Sequence, residues 1–177
     1  KRAGSDWVGN PNLEPMGNTG VLGGMNYTYR RMIVSASVYY DYLTNYITVH
    51  SQKKVNAVPG VMNAAARSYE NVNGRMWSGE LSVTYPITDS LFSTFSTSYT
   101  RGTKDTEPAN GITSSNISEI HPVMGTAALR YDRSVFFGEI QGVFSGRHEY
   151  VDTDLGEEQT PPYGRLNLKA GAQKRDP

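Results

Sequence analysis

The chain contains no cysteine among its 177 residues. A disulfide framework, a thiol nucleophile and a cysteine-ligated zinc site are therefore excluded. No run of about 18 apolar residues is present, which excludes a transmembrane helix, and Lys1 to Trp7 lack the apolar segment of a secretory signal. The 17 basic residues balance 17 acidic ones, so the net charge offers no footprint for nucleic acid.

Apolar residues are also scarce for a chain of this length. The hydrophobic share is 37%, below the usual globular share, and the mean hydropathy is -0.51. In their place stand 12 Tyr and 18 Gly, with abundant Ser and Thr. This mixture favours strands and turns over helices.

Apolar residues recur at every second position in about seven segments of the sequence. Because successive side chains of a strand point to opposite faces, each segment predicts a strand with one apolar and one polar face. The positions that we expect to face lipid are Val34, Val38, Leu81, Val83, Phe95, Leu129, Ile140 and Leu166. The positions that we expect to face an aqueous lumen are Arg30, Glu80, Arg130, Glu139, Arg165 and Lys169.

Charge separates with this alternation. No charged residue occupies the apolar positions, roughly thirty in all. A membrane-facing surface requires this separation, since Arg or Lys there costs ~2–4 kcal/mol at the bilayer midplane. Aromatic residues near both ends of the segments, such as Tyr85 and Trp77, are typical of interfacial girdles.

Short and long connections alternate along the chain. The long ones run over His50–Arg67, Arg101–Glu119 and Arg147–Pro162. Outer-membrane barrels show this alternation of periplasmic turns and extracellular loops. We therefore predict an all-β antiparallel up-and-down meander over residues 1–177, a single segment of a transmembrane β-barrel. A soluble β-sandwich explains the strand alternation equally well but explains the loops poorly.

Several motifs add a family resemblance. Asn10-Pro11-Asn12-Leu13-Glu14-Pro15 resembles the N-P-x-L-x-P segment that precedes a strand in TonB-dependent receptors, with Met16 where Glu is usual. The segments 39–47, 69–72 followed by 79–81, and 119–122 resemble further strand motifs of that family in the same order. In the last of these, His121 replaces the first Pro of an I-P-P element.

The resemblance implies an outer-membrane protein of a Gram-negative bacterium. It implies TonB-driven uptake of a scarce ligand, such as an iron–siderophore, cobalamin or another metal complex, with no enzymatic step and no cofactor. Family barrels have about 22 strands and a plug through which TonB acts. Since about seven strands and no plug are visible here, we expect a fragment. A diffusive porin-like barrel and a soluble β-sandwich binding module are the alternatives.

Residues that could carry other chemistry form weak patterns. His50, His121 and His148 have no metal-ligand spacing and are interpreted as solvated loop residues. Thioethers bind Cu(I), and three methionines, Met62, Met76 and Met124, are the ones worth testing for this.

Two further patterns lie in the last long connection. The segment 152–158 resembles a calcium loop, but Tyr163 stands where Glu is required, so an acidic surface loop is expected. Ser145, His148 and Asp152 have the residue types of a catalytic triad but no nucleophile elbow. We expect the three long connections to supply ligand binding.

Overall fold

Seven strands form one antiparallel sheet in the computed structural model, which describes residues 7–54, 65–133 and 135–172. The strands follow chain order across the sheet, which confirms the predicted up-and-down meander. They are β1 (Gly17–Tyr29), β2 (Met32–Lys54), β3 (Ala65–Pro86), β4 (Leu91–Lys104), β5 (Met124–Arg133), β6 (Phe136–Ser145) and β7 (Tyr163–Ala172). Two single-turn 3-10 helices lie at Pro108–Asn110 and Thr153–Leu155. Within the described ranges, no helix is long and apolar enough to cross a bilayer.

The strand register places the predicted apolar positions on one side of the sheet. Directly paired residues of antiparallel strands project to the same side. One continuous row of such pairs crosses all seven strands through Tyr27, Val34, Val83, Phe95, Ala127, Gly142 and Leu166. We call this side the uncharged face and the opposite side the polar face. Arg75, Arg101 and Arg133 share the uncharged side by register; Arg101 and Arg133 lie at or near strand ends, whereas Arg75 lies in the middle of β3, level with Thr103 near the end of β4.

The uncharged face is open. Val38 is 63% exposed, Leu166 63% and Leu168 73%. No second sheet packs against this side in the part of the chain that the structure describes. The alternative of a soluble β-sandwich is therefore wrong, because a sandwich buries such side chains between its two sheets.

Short and long connections alternate between the two ends of the sheet, as predicted. We call the ends the turn end, where β1 joins β2 (30–31), β3 joins β4 (87–90) and β5 joins β6, and the loop end, where β2 ends, β3 begins and connections 105–123 and 146–162 lie. Two turns are joined at the turn end, where Arg31 Nη1 lies 2.7 Å from Asp89 Oδ1.

The predicted first long connection, His50–Arg67, is too long. β2 continues to Lys54 and β3 begins at Ala65. The physical reason is a register shift between Leu43 and Tyr46, where Asn45 adopts a φ of 55°. The shift reverses which residues of β2 face each side, and the simple two-residue alternation ends there.

Buried apolar residues gather at the loop end. Leu43 and Val72 come from β2 and β3, Ile112 and Ile117 from connection 105–123, and Val151 from connection 146–162. Ile112 is fully enclosed, at 0% exposed. The two long connections therefore fold onto the polar side of β2–β4 and form a small core there.

Candidate ligand-binding surface

Hydroxyl groups line the middle of the polar face. Ser35, Ser82, Ser96 and Thr126 form one register row across four strands. The hydroxyls of Ser96 and Thr126 lie 2.8 Å apart and share a hydrogen bond. With Glu80 they line a cavity of about 610 Å³. These short hydroxyl side chains leave space beside the polar face for a ligand or another domain, and they can form hydrogen bonds with it.

Three of the predicted lumen residues form one cluster near the turn end. The Lys169 ammonium lies 3.0 Å from Glu139 Oε1, and Arg130 Nη1 lies 3.6 Å from Glu139 Oε2. The Arg130 guanidinium also lies 4.7 Å above the Phe137 ring. Glu139 thus neutralises one lysine directly and one arginine loosely, and exposed pairs of this kind contribute little to stability.

The other predicted lumen residues are apart from this cluster. Glu80 accepts a long hydrogen bond, 3.4 Å, from the Ser37 hydroxyl. Arg165 is paired with Val143 in the register. Arg30 lies in the first turn with a φ of 53°, and its guanidinium is 5.4 Å from the Tyr29 ring centroid. The predicted lumen residues are therefore spread along the wall and do not converge on a single site.

A buried ion pair ties the loop end together. The Lys104 ammonium, on β4, donates to the Asp152 carboxylate and, at 2.7 Å, to the Thr48 hydroxyl. The Lys104 and Asp152 side chains are 0% and 1% exposed. The acidic segment was expected to be a surface loop; for Asp152 this is wrong. Lys104 shows no distinctive sequence signal, because its burial comes from a connection more than 40 residues away in the chain.

Two of the remaining acids of the segment, Asp154 and Glu157, accept hydrogen bonds from backbone amides. Asp154 Oδ2 accepts from the amides of Thr113 and Ser114 at 2.8 and 2.9 Å. Glu157 accepts from the amide of Asp152 through one oxygen and from the amide of Glu119 through the other, both at 2.7 Å. This is a clamp between connections 105–123 and 146–162. The calcium-like spacing of the sequence serves that clamp, and no group of three His, Cys, Asp or Glu in the described chain is arranged to hold a metal.

Asp154 has a perturbed acidity. Partial burial alone raises the pKa of this carboxyl, but the hydrogen bonds from the Thr113 hydroxyl and from the Ser114 and Thr113 amides, together with the Lys104 charge, outweigh it. The pKa of Asp154 is therefore below its ordinary value. The clamp favours the ionised carboxylate.

Two of the three histidines, His50 and His148, differ from the predicted solvated loop residues. His50 lies on β2, opposite Ser68, and is 2% exposed; its Nε2 is 3.9 Å from Glu70 Oε2. His148 is half-buried, and His121 is exposed as expected. The triad of Ser145, His148 and Asp152 does not form, because Asp152 binds Lys104 and the Ser145 hydroxyl donates to the Gly146 carbonyl.

Two of the singled-out methionines occupy one cavity. Met76 and Met124 lie on the polar face, paired with Gly102 and Ser98 of β4. Together with His121 and Glu119 they line a cavity of about 280 Å³ beneath connection 105–123. Met62 lies outside the described residues.

The motif before β1 has a structural role. The Glu14 carboxylate accepts from the Asn45 side-chain amide at 2.8 Å. The Asn71 side chain accepts from the Glu14 amide and donates to the Asn45 carbonyl, both at 2.7 Å. Asn10 donates to the Tyr69 carbonyl at 2.9 Å. The segment thereby fastens across β2 and β3 at the register shift.

Comparison with known proteins agrees with this architecture. A family profile described as TonB dependent receptor-like, beta-barrel matches residues 2–175. No curated protein sequence is a significant match. Among solved structures, the "Copper transporter OprC" resembles the chain with a TM-score of 0.72 and 17% identity over 92% of this chain and 25% of that one. At this identity the likeness concerns the fold, and the chain spans about a quarter of that transporter's length.

The family is one of transporters, not enzymes, located in the outer membrane of Gram-negative bacteria. The profile covers nearly the whole chain, and the meander, the two-sided sheet and the alternating connections are those of its barrels. The chain belongs to the TonB-dependent receptor β-barrel family.

Proposed function

We propose that this chain is one wall segment of a receptor barrel that takes up a scarce metal-bearing ligand, such as an iron–siderophore, cobalamin or another metal complex, driven by TonB through a plug domain. The uncharged face meets outer-membrane lipid through Val34, Val38, Leu81, Val83, Phe95, Leu129, Ile140 and Leu166. Arg30, Glu80, Arg130, Glu139, Arg165 and Lys169 face the interior.

The observation that carries this proposal is the folded loop end. Connections 105–123 and 146–162 are joined through the buried pair of Lys104 and Asp152 and through Asp154. They lie over the polar side of β2–β4, where an incoming ligand enters. A diffusive pore needs open access at this point, whereas a receptor needs a shaped surface that captures its ligand.

The test is uptake by cells with the gene for this protein deleted, with TonB deleted, or with neither deleted. Radiolabelled ferric siderophores, cobalamin and copper are supplied at limiting concentration. We expect uptake of one ligand to fall at least tenfold in both deletions. Uptake that depends on this gene but persists without TonB would support a porin-like barrel and contradict the proposal.

Among the metal-bearing ligands that the receptor could take up, the cavity of Met76, Met124 and His121 favours a soft cation such as copper. Two thioethers and an imidazole are ligands that suit copper, whereas hard cations prefer oxygen. The similarity of fold to a copper transporter is consistent with this choice.

Methionine variants test the choice of metal. Met76→Leu with Met124→Leu should lower copper uptake at least tenfold, because leucine keeps the volume and removes the sulfur. Met25→Leu with Met32→Leu is the matched control, since both methionines lie on the uncharged face. Equal uptake by the two double variants would rule out the cavity as a copper site while leaving uptake itself intact.

A further inference from the structure

One short segment, residues 119–122, covers the cavity of the two methionines. All four of its residues line that cavity of about 280 Å³, together with Met76 and Met124 of the sheet. Within the segment, His121 carries the imidazole proposed above as a copper ligand. This imidazole can act with the two thioethers only if the backbone of the segment holds it beside them.

The backbone of the segment has little freedom at its far end. His121 precedes Pro122, and the residue before a proline is confined mainly to extended conformations. Pro122 itself has a fixed φ. The direction in which His121 projects is therefore set at the other end of the segment, by Glu119 and Ile120.

Glu119 adopts a conformation that glutamate normally avoids. Its φ is 61°, in the left-handed region that favours glycine and asparagine. Its amide donates to Glu157 Oε1 at 2.7 Å. A hydrogen bond to a charged acceptor is strong, and contacts with the surrounding structure are what keep a residue in such a conformation.

Glu157 is itself anchored to the sheet. Its second carboxylate oxygen accepts from the Asp152 amide at 2.7 Å, and its own amide donates to the Asp152 carbonyl at 3.2 Å. Asp152 is fully buried and pairs with Lys104 of β4. A continuous set of contacts therefore runs from the sheet through Asp152 and Glu157 to the amide of Glu119.

Ile120 provides a second point of attachment. Its terminal methyl group lies so close to Gly102 that a side-chain carbon at that position would overlap with it. Gly102 is the β4 partner of Met76. Ile120 thus fixes where the segment rests on the sheet, next to one of the two methionines, while Glu119 sets the direction of the chain.

We infer that Glu157 is the positioning residue of the proposed copper site. Glu157 is not among the described residues that line the cavity. Through the Glu119 amide it holds residues 119–122 in a conformation that places the His121 imidazole at the cavity. This inference rests on the copper site proposed above, and it adds the residue that gives the site its geometry.

Silver(I) binding to the intact barrel in detergent, measured by isothermal titration calorimetry, tests the inference. Silver(I) is a soft monovalent cation like Cu(I), and it keeps its oxidation state during the measurement. Glu157→Ala should weaken silver binding about tenfold or more, as loss of a group that orients a metal ligand typically does. Glu158→Ala is the matched control, because Glu158 is the adjacent acid and is exposed, and it should bind silver like the wild type.

A glycine background separates positioning from charge and from general folding. Glycine adopts the left-handed conformation without strain, so in Glu119→Gly the segment no longer depends on Glu157. In that background, adding Glu157→Ala should change silver binding by less than about twofold. An equal loss from Glu157→Ala in both backgrounds would overturn the inference, because Glu157 would then act through its charge or through the fold of connection 146–162.

The methionine variants separate this inference from the copper site itself. Met76→Leu with Met124→Leu should remove the silver binding that Glu157→Ala weakens. Silver binding that requires the two methionines but is unaffected by Glu157→Ala would overturn the positioning role and leave the copper site standing. Equal silver binding by the wild type and the methionine double variant would overturn the copper site and the positioning role with it.

Discussion

Lys104 joins three parts of the chain: β4, β2 through Thr48, and connection 146–162 through Asp152. Lys104→Ala leaves the buried Asp152 carboxylate without its cation, which costs ~3–5 kcal/mol for a buried pair. We expect connections 105–123 and 146–162 to open more often, with protease cleavage there rising at least about a hundredfold.

Limited proteolysis of the intact barrel in detergent measures this change. Lys169→Ala is the control, because Lys169 is exposed and pairs at the other end of the sheet; its cleavage rate should equal that of the wild type. Lys104→Met with Asp152→Leu should recover most of the protection, since it removes both charges. Unchanged cleavage in Lys104→Ala would show that the pair does not hold the connections.

The Asp154 clamp should respond to acid. The pKa of Asp154 is lowered in the folded state, so its stabilising contribution is complete above about pH 4 and is lost as the pH falls through the folded value. Hydrogen-exchange protection factors of the Thr113 and Ser114 amides should fall over that range.

Asp154→Asn should start from lower protection and show a weaker acid response. Glu158→Gln serves as a control, because Glu158 is exposed, and it should follow the wild type. Parallel loss of protection in the wild type and in Asp154→Asn would assign the acid response to another group.

At the scale of elements, the register shift in β2 depends on Asn45. Its φ of 55° is accessible to Gly and Asn but strained for a β-branched residue, at ~1–2 kcal/mol. Asn45→Val should therefore lower the thermal midpoint of the barrel in detergent, and Asn45→Gly should lower it less, because both variants lose the hydrogen bond to Glu14 but only valine is strained at this φ. Asn18→Val, at an exposed position of β1, is the control. A midpoint for Asn45→Val equal to that of Asn18→Val would contradict a conformational role.

The strands were predictable where alternation continued without interruption. β4 to β6 follow the two-residue pattern, and the faces of Phe95 and Ile140 relative to each other follow from it. The pattern cannot show that β2 continues past Asn45 to Lys54, because the register shift moves the polar face onto the other set of β2 residues. Nor does it show that His50 is buried.

The buried centre of the loop end lay beyond sequence reasoning for the same physical reason. Lys104 and Asp152 are each common in exposed positions, and their pairing depends on the fold of two long connections. Glu139 and Lys169, in contrast, were both expected to face the lumen, and the pairing of β6 with β7 sets them opposite each other.

For the molecule as a whole, the two sides of the sheet should differ in their tolerance of charge. Ile140→Arg introduces a cation on the uncharged face, at ~2–4 kcal/mol if that face meets the bilayer core. Gln141→Arg introduces an arginine at the next position of β6, which lies on the polar face. Urea unfolding in lipid vesicles should show the loss in Ile140→Arg and little change in Gln141→Arg. Equal effects of the two variants would contradict the proposed lipid-facing side.

The carboxylates of connection 146–162 reach across to amides of connection 105–123, so neither segment has an independent shape. Natural or laboratory recombination that imports one of them from a relative breaks the set of contacts on which both depend. A change of specificity at this rim therefore requires the pair to be inherited together, as one exchangeable module.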